Sequence, residues 1–349
     1  MKKKNSIAHQ NKVKFKNKYF KDLKIKKIYS IFKKNLYSQI KNKKFCIGVS
    51  GGPDSLALAF LAKIFSEEFN SQFIAFIVDH NLRKESGKEA KKVKKILQRL
   101  KIKAKILTWR GKFSKSNIQL NARNNRYSLM DQECKRMKIK NLVLAHHEGD
   151  LIENFFIRLF RGSGLKGLSS LNIQSYSKDK SLNIIRPLIN TNKDQLISIS
   201  KKVFNFYLTD PSNFRQRFLR TRIRNYMERF KMDGLDTKKV KLTLANLQSA
   251  NDSTNFYKDK SINNHVSYSK HESCLVSYDL FLQESEEVIF RTINDIFCQV
   301  SGKYYPPRGK GVKNLIVKIK SKKFNKSTLG GCIIEKVCNI LIFRKEFVK

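Results

Sequence analysis

The chain has 349 residues, 40% of them hydrophobic, which allows two domains and excludes a wholly disordered polymer. Lys and Arg number 73 against 28 Asp and Glu, and the resulting charge of +45 favours a polyanionic partner. A chain rich in Lys, Asn and Ile is also what an AT-rich genome produces, so charge alone does not choose between nucleic acid, a membrane surface and neither.

Six cysteines lie far apart with no C-x-x-C pair, which speaks against a zinc knuckle or a redox dithiol and for reduced thiols. The N-terminal MKKKNSIAHQNKVKFKNKYF is basic but lacks the apolar core of a secretory signal. No stretch is long and apolar enough to span a bilayer. The expected compartment is the cytoplasm, with no membrane partner and no protein partner inferred.

In chain order, residues 1–40 read as a basic arm followed by a helix, with Ile28, Ile31, Phe32 and Leu36 at helical spacing. Strand and helix then alternate. Strands are expected over Phe45–Val49, Phe73–Val78, Ala104–Trp109, Leu142–His146 and Leu182–Leu188. Helices are expected over Ser55–Phe69, Lys88–Leu100, Ile118–Met137, Leu151–Phe160 and Lys193–Phe204. The strands are apolar throughout, which suits a sheet covered on both faces. The expected fold is α/β: an open, doubly wound, mostly parallel five-stranded sheet over 41–225, with ligands at the carboxyl ends of the strands. Residues 226–349 read as a smaller, mainly helical basic region. Within it, a loop is expected near SANDSTNFYKDKS, and a small helix followed by a β-hairpin toward the end.

The unusual residues gather at the strand ends. Ser50-Gly51-Gly52-Pro53-Asp54-Ser55 joins the first strand to the first helix of the alternating region. Its glycines permit close backbone approach to an anion, and the helix start adds unpaired N–H donors. A tight turn with Asp54 as helix cap reads the same residues equally well. The G-x-x-x-x-G-K-[ST] spacing of GTPases is absent. Further along come VDHNLR with Asp79, His80 and Arg83, NARNNRY with Arg123 and Arg126 on one helix face, and AHHEGDLIENF with His146, His147, Asp150 and Glu153. RLFRGSG contributes Arg158, Arg161 and the Gly162-Ser163-Gly164 bend. TDPSNFRQRFLRTRIRN contributes Arg217, Arg220, Arg222 and Arg224, arginines that stand out in a lysine-biased chain.

S-G-G-x-D-S after the first strand resembles the PP-loop of ATP pyrophosphatases, and the six motifs in order resemble the bacterial tRNA(Ile)-lysidine synthetases. The resemblance implies a carbon–nitrogen ligase that uses ATP and Mg²⁺. In that family ATP adenylates carbon 2 of the wobble cytidine in the CAU anticodon of tRNA(Ile), and free L-lysine displaces AMP. Carried onto this sequence, it implies an ATP site of Ser50, Gly51, Gly52, Pro53, Asp54, Ser55, Asp79 and His80, with Asp54 toward Mg²⁺. Arg123, Arg126, His147, Asp150 and Glu153 become catalytic or lysine-binding residues. A carboxylate or His147 would take the amine's proton. Arg161, Arg217, Arg220, Arg222 and Arg224 become tRNA contacts.

Three positions depart from the family pattern: Asn81 where Gly is usual, Gly149 where Asp is common, and Asn154 where Thr is usual. Other readings compete. A PP-loop thiolase usually needs paired cysteines or an iron–sulfur cluster. An RNA-binding protein with a decayed ATP site would not keep the intact S-G-G-P-D-S. Small-molecule PP-loop synthetases would not need a charge of +45.

Overall fold

The structure, a computed structural model, describes residues 19–40, 43–81, 85–111, 118–177, 179, 181–209, 219–269, 273–303, 305–321 and 323–346. The chain divides into two compact units, Met1–Lys241 and Leu242–Lys349.

The first unit carries a six-stranded sheet in the order β3-β2-β1-β4-β6-β5. The strands are β1 (Phe45–Gly48), β2 (Phe73–Asp79), β3 (Ala104–Thr108), β4 (Asn141–Val143), β5 (Gln174–Tyr176) and β6 (Asn183–Ile185). Five run parallel, and β5 adds an antiparallel edge that the sequence did not announce. Three polar-leaning residues are too short a pattern to stand out, and an edge strand needs only one paired side.

The helices are α1 (Leu23–Ile40), α2 (Pro53–Glu68), α3 (Ser86–Arg99), α4 (Ile118–Arg136), α5 (Glu148–Leu159), α6 (Leu165–Leu168), α7 (Lys193–Phe204) and α8 (Leu219–Met232). Side chains alternate across β1: Phe45, Ile47 and Val49 enter one core with Phe32, Leu58, Val93 and Leu196 from α1, α2, α3 and α7. Cys46 enters a second core on the opposite face with Phe76, Met130 and Cys134. Both faces are covered, which is why the strands read as uninterrupted apolar runs.

Beyond α8, α9 (Thr237–His265) crosses the division between the units. It runs through the segment expected to be a loop. That segment holds no Gly or Pro, and in the second unit Arg291 donates to Asn251 at 2.9 Å and to Asn255 at 2.8 Å. The second unit pairs its helices with a sheet larger than the expected hairpin. It contains an antiparallel sheet of β7 (Val266–Ser269), β8 (Ser273–Ser277), β9 (Lys326–Leu329), β10 (Cys332–Val337) and β11 (Ile340–Lys345), in the order β7-β8-β11-β10-β9. α10 (Leu280–Gln283), α11 (Glu286–Ser301) and α12 (Gly309–Lys320) complete it. Cys274, Val276, Ile334, Leu341 and Phe343 face a core with Ile293, Phe297 and Leu315. Among the described residues, no helix is long and apolar enough to cross a membrane.

Candidate active site

The strand order turns back on itself between β1 and β4, because the chain moves outward through β2 and β3 and then returns to the other side of β1. Such a switch point opens a crevice at the carboxyl ends of the two strands. The segments leaving β1 and β4 are Ser50–Ser55 and His146–Asp150, and they meet there.

The first segment is shaped by its own side chains. Gly51 has φ +86°, and a Cβ on it would stand 2.6 Å from Val93 Cγ2 and 2.8 Å from Leu208 Cδ1. Gly51 also accepts a hydrogen bond from the Leu208 N–H at 2.9 Å. The Ser55 hydroxyl accepts from the N–H groups of Ser50 and Gly51, each at 3.2 Å, and donates to the Gly52 carbonyl at 2.9 Å. Ser55 is therefore turned inward to hold the loop, whereas Ser50 is exposed at its mouth. Pro53 begins α2 after Gly52, and no side chain caps this helix. The turn and the cradle are thus one structure: Asp54 does not cap, and the helix start is left open toward the crevice.

Asp54 Oδ1 is buried with no hydrogen-bond partner among the described residues. Burial raises the Asp54 pKa, against the opposing charge of Lys193. An acceptor-only oxygen beside a phosphate-sized cradle fits a hard divalent cation. Among the described residues no group of three or more His, Cys, Asp or Glu side chains gathers to cage one. Mg²⁺ takes most of its ligands from water and phosphate, so a single carboxylate suffices.

His147 caps α5. Gly149 N–H donates to His147 Nδ1 at 3.0 Å, and His147 N–H donates to Asp150 Oδ2 at 3.1 Å, a reciprocal box. With Nδ1 accepting, the proton of the neutral ring sits on Nε2. That atom lies 3.7 Å from Asp54 Oδ2 and 3.6 Å from Asp150 Oδ2. Burial works against the Asp150 charge, but His147, His146 and Arg220 hold its pKa down to about 2. Burial pushes His146 down to about 3, so its ring is neutral, and its Nδ1 has no hydrogen-bond partner among the described residues.

The two carboxylates assigned to a lysine ammonium are engaged by arginines. Arg220 donates from Nε to Glu153 Oε2 at 2.7 Å and from Nη2 to Asp150 Oδ1 at 3.0 Å. Arg224 donates from Nε to Glu153 Oε1 and from Nη2 to Oε2. Helical spacing on α8 aims both guanidinium groups at α5, and Glu153 is only 5% exposed. Arg220 and Arg224 therefore meet carboxylates here rather than standing out as a phosphate surface. Arg161 and Arg222 are exposed, while Arg217 and Arg83 lie outside the described residues.

Arg123 and Arg126 flank Tyr127, their guanidinium carbons 5.0 and 5.9 Å from its ring centroid. Burial pushes Arg126 below its ordinary pKa. Asp79, at the end of β2, accepts from Asn81 N–H at 2.9 Å and from the Ser86 hydroxyl at 2.7 Å, and the half-buried His80 follows it. Asn81 has φ +53°, so it takes the left-handed turn that a glycine would take. Asn154 donates to the Ser170 hydroxyl at 3.1 Å, so the amide keeps a hydrogen-bonding role where a threonine would use its hydroxyl.

Two residues of this region went unread in the sequence. Arg186, just past β6, is 6% exposed and donates from Nη1 to the Asn172 carbonyl at 3.1 Å and the Ser175 hydroxyl at 2.9 Å. Lys241 pairs with Glu148 at 3.0 Å. A charged residue ending an apolar strand was the available signal for Arg186; Lys241 left none, because its partner is set by how α9 starts.

Residues 24–229 match the PP-loop domain family. The chain is 34% identical over 319 residues to the tRNA(Ile)-lysidine synthase of Orientia tsutsugamushi (strain Boryong), covering 88% of this chain and 70% of that protein. It is 34% identical over 331 residues to the enzyme of the same name from Rickettsia felis, covering 92% and 75%. The U34-tRNA thiolase NcsA from Methanococcus maripaludis shares the fold, with a TM-score of 0.56 at 17% identity over 65% of this chain and 78% of that one. With a PP-loop at its switch point and this identity along nearly its whole length, the chain belongs to the tRNA(Ile)-lysidine synthase family.

Proposed function

We propose that the chain is a tRNA(Ile)-lysidine synthase: a ligase acting in the cytoplasm, with ATP, free L-lysine and tRNA(Ile) carrying a CAU anticodon as substrates. The observation that carries the reading is the meeting of the open start of α2, the Asp54 carboxylate and the His147–Asp150 box at one switch point. The wobble cytidine, through its carbon-2 oxygen, attacks the α-phosphorus of ATP and diphosphate leaves. The lysine side-chain amine then bonds to carbon 2, and AMP leaves with the oxygen. The Ser50–Ser55 backbone and the helix start receive phosphate oxygens. Asp54 is the residue that would hold Mg²⁺, which when bound offsets the charge between this carboxylate and the phosphates. Arg123 and Arg126 oppose negative charge growing on the leaving group.

The amine must lose a proton before it attacks. Neutral His147 spends its ring lone pair on Gly149 N–H and presents an N–H to Asp54 and Asp150. The ring nitrogen that faces them already carries a proton, so a carboxylate rather than His147 accepts the amine's proton. Asp150 and Glu153 serve the lysine ammonium only when Arg220 and Arg224 release them.

The test is incubation with unmodified tRNA(Ile) bearing CAU, ATP, Mg²⁺ and labelled lysine. Label on the tRNA is expected. A folded protein that leaves the tRNA unlabelled overturns the activity, and equal labelling of elongator tRNA(Met), which shares the anticodon, overturns the specificity.

A further inference from the structure

The flank of the sheet holds a cavity of about 310 Å³ that the reaction above does not use. One wall is α3, which contributes Lys92, Lys95, Ile96 and Arg99. The three cations are spaced three and four residues apart, so they line one face of the helix. The other wall is the end of α7 and the chain after it: Phe204, Asn205 and Phe206. Asn205 ends α7 in a left-handed conformation with φ +46°, which turns the chain and brings Phe206 beneath α3.

Lys92 Nζ lies 4.5 Å from the centre of the Phe206 ring. Among the described residues, no carboxylate pairs with Lys92, Lys95 or Arg99. Some exposed lysines of this unit find a carboxylate, as Lys33 finds Glu68, Lys135 finds Asp131 and Lys202 finds Asp22; what sets these three cations apart is the one concavity they share. Three cations facing one concavity without a counter-charge leave their electrostatic demand unmet, and the floor of Ile96, Phe204 and Phe206 is apolar. A phosphate with an attached flat or apolar body satisfies both parts.

We propose that this cavity binds a backbone phosphate of the RNA substrate on Lys92, Lys95 and Arg99, with the attached nucleoside against Phe206. The assignment of the RNA rests on the proposed function. Placement supports it. Leu208, two residues beyond Phe206, is hydrogen-bonded to Gly51 of the PP-loop, and two residues of extended chain span at most about 7 Å. An RNA strand whose reacting base lies at the PP-loop therefore passes its flanking phosphates along this flank. A free anion has no such reason to meet an aromatic floor.

The experiment compares the full chain with a triple variant, K92E/K95E/R99E, and with a control that reverses Lys24, Lys27 and Lys34, three exposed positions on α1. Binding of unmodified tRNA(Ile) is measured across a salt series, and circular dichroism checks folding. The cavity variant is expected to lose about tenfold or more in affinity at low salt. Its log-affinity against log-salt slope should fall by roughly one unit per phosphate contact, while KM for ATP and for lysine stays unchanged.

Equal loss in the control overturns the proposal, because the overall field would then explain the effect. Unchanged tRNA binding in the cavity variant also overturns it, including the case where inorganic phosphate, tested by titration, binds the parent chain at this site alone. If the parent chain itself neither binds nor modifies the tRNA, the functional reading fails first, and the two failures are thereby distinguished.

Discussion

His147 Nε2 stands 3.7 Å from Asp54 Oδ2, so the loop that follows β1 and the helix that follows β4 share one polar centre. The second carboxylate on that nitrogen, Asp150, is fixed by the helix cap, whereas Asp54 has an unpaired oxygen. The two acids are therefore not equivalent. Asp150 is held ionised by its surroundings, and Asp54 is the one with a coordination position to offer.

Asp54→Asn keeps the shape and removes the charge. ATP-dependent adenylation, read by diphosphate release, should fall at least about 100-fold. Binding of tRNA should be unchanged. The melting temperature should hold or rise, because a desolvated carboxylate is replaced by a neutral amide.

Glu153 ties α5 to α8. Glu153→Gln leaves two guanidinium groups facing an amide and should destabilise the first unit by about 1–3 kcal/mol, discounted from a fully buried pair because both arginines are partly exposed. Denaturant unfolding measures this. Arg224→Ala in the Glu153→Gln background should cost less than in the parent, and the difference gives the coupling. If Glu153 also receives the lysine ammonium, Glu153→Gln raises KM for lysine and leaves KM for ATP alone.

Acid should destabilise the first unit in two stages. His146 has a folded pKa near 3, below the ordinary 6.5, so its neutral form is favoured in the folded state. Its contribution is complete above about pH 6.5 and is lost as pH falls toward 3, since the unfolded chain binds the proton first. Asp150 is depressed from 3.8 to about 2, so its contribution is present above 3.8 and is lost as pH falls through 2. His146→Gln should flatten the stability curve between pH 6.5 and 3 and shrink the Asp150 step below it, because His146 helps hold that carboxylate down. Unfolding midpoints across that range decide the matter.

Gly51→Ala places a methyl group against Val93 and Leu208 at a backbone angle that L residues rarely adopt. A loss of about 1–3 kcal/mol in stability is expected, together with weakened ATP binding. Gly162 is a useful contrast: its φ is +64°, but nothing lies within 4 Å of the position a Cβ would take. Gly162→Ala should carry the backbone strain without the clash, and the two melting curves separate these effects.

Much of the first unit was legible because its signals are local. Strands buried on both faces are apolar throughout, and Gly51, Gly52 and Pro53 mark a turn whose chemistry is independent of distant contacts. The order of the motifs along the chain was sufficient to identify the family. The β5 edge and the β7–β8 hairpin were not legible, because short strands are stabilised by neighbours the local pattern does not name. The same limit governed the site. Arg220 and Arg224 carry a helical spacing that suits phosphate or carboxylate equally. Only the packing of α8 on α5 brought Glu153 and Asp150 to them. The residues alone determined which groups stand at the strand ends. Tertiary structure decided which of those groups neutralise one another and which, like Asp54 Oδ1, stay without a hydrogen-bond partner among the described residues, because a charge is satisfied through space and not along the chain.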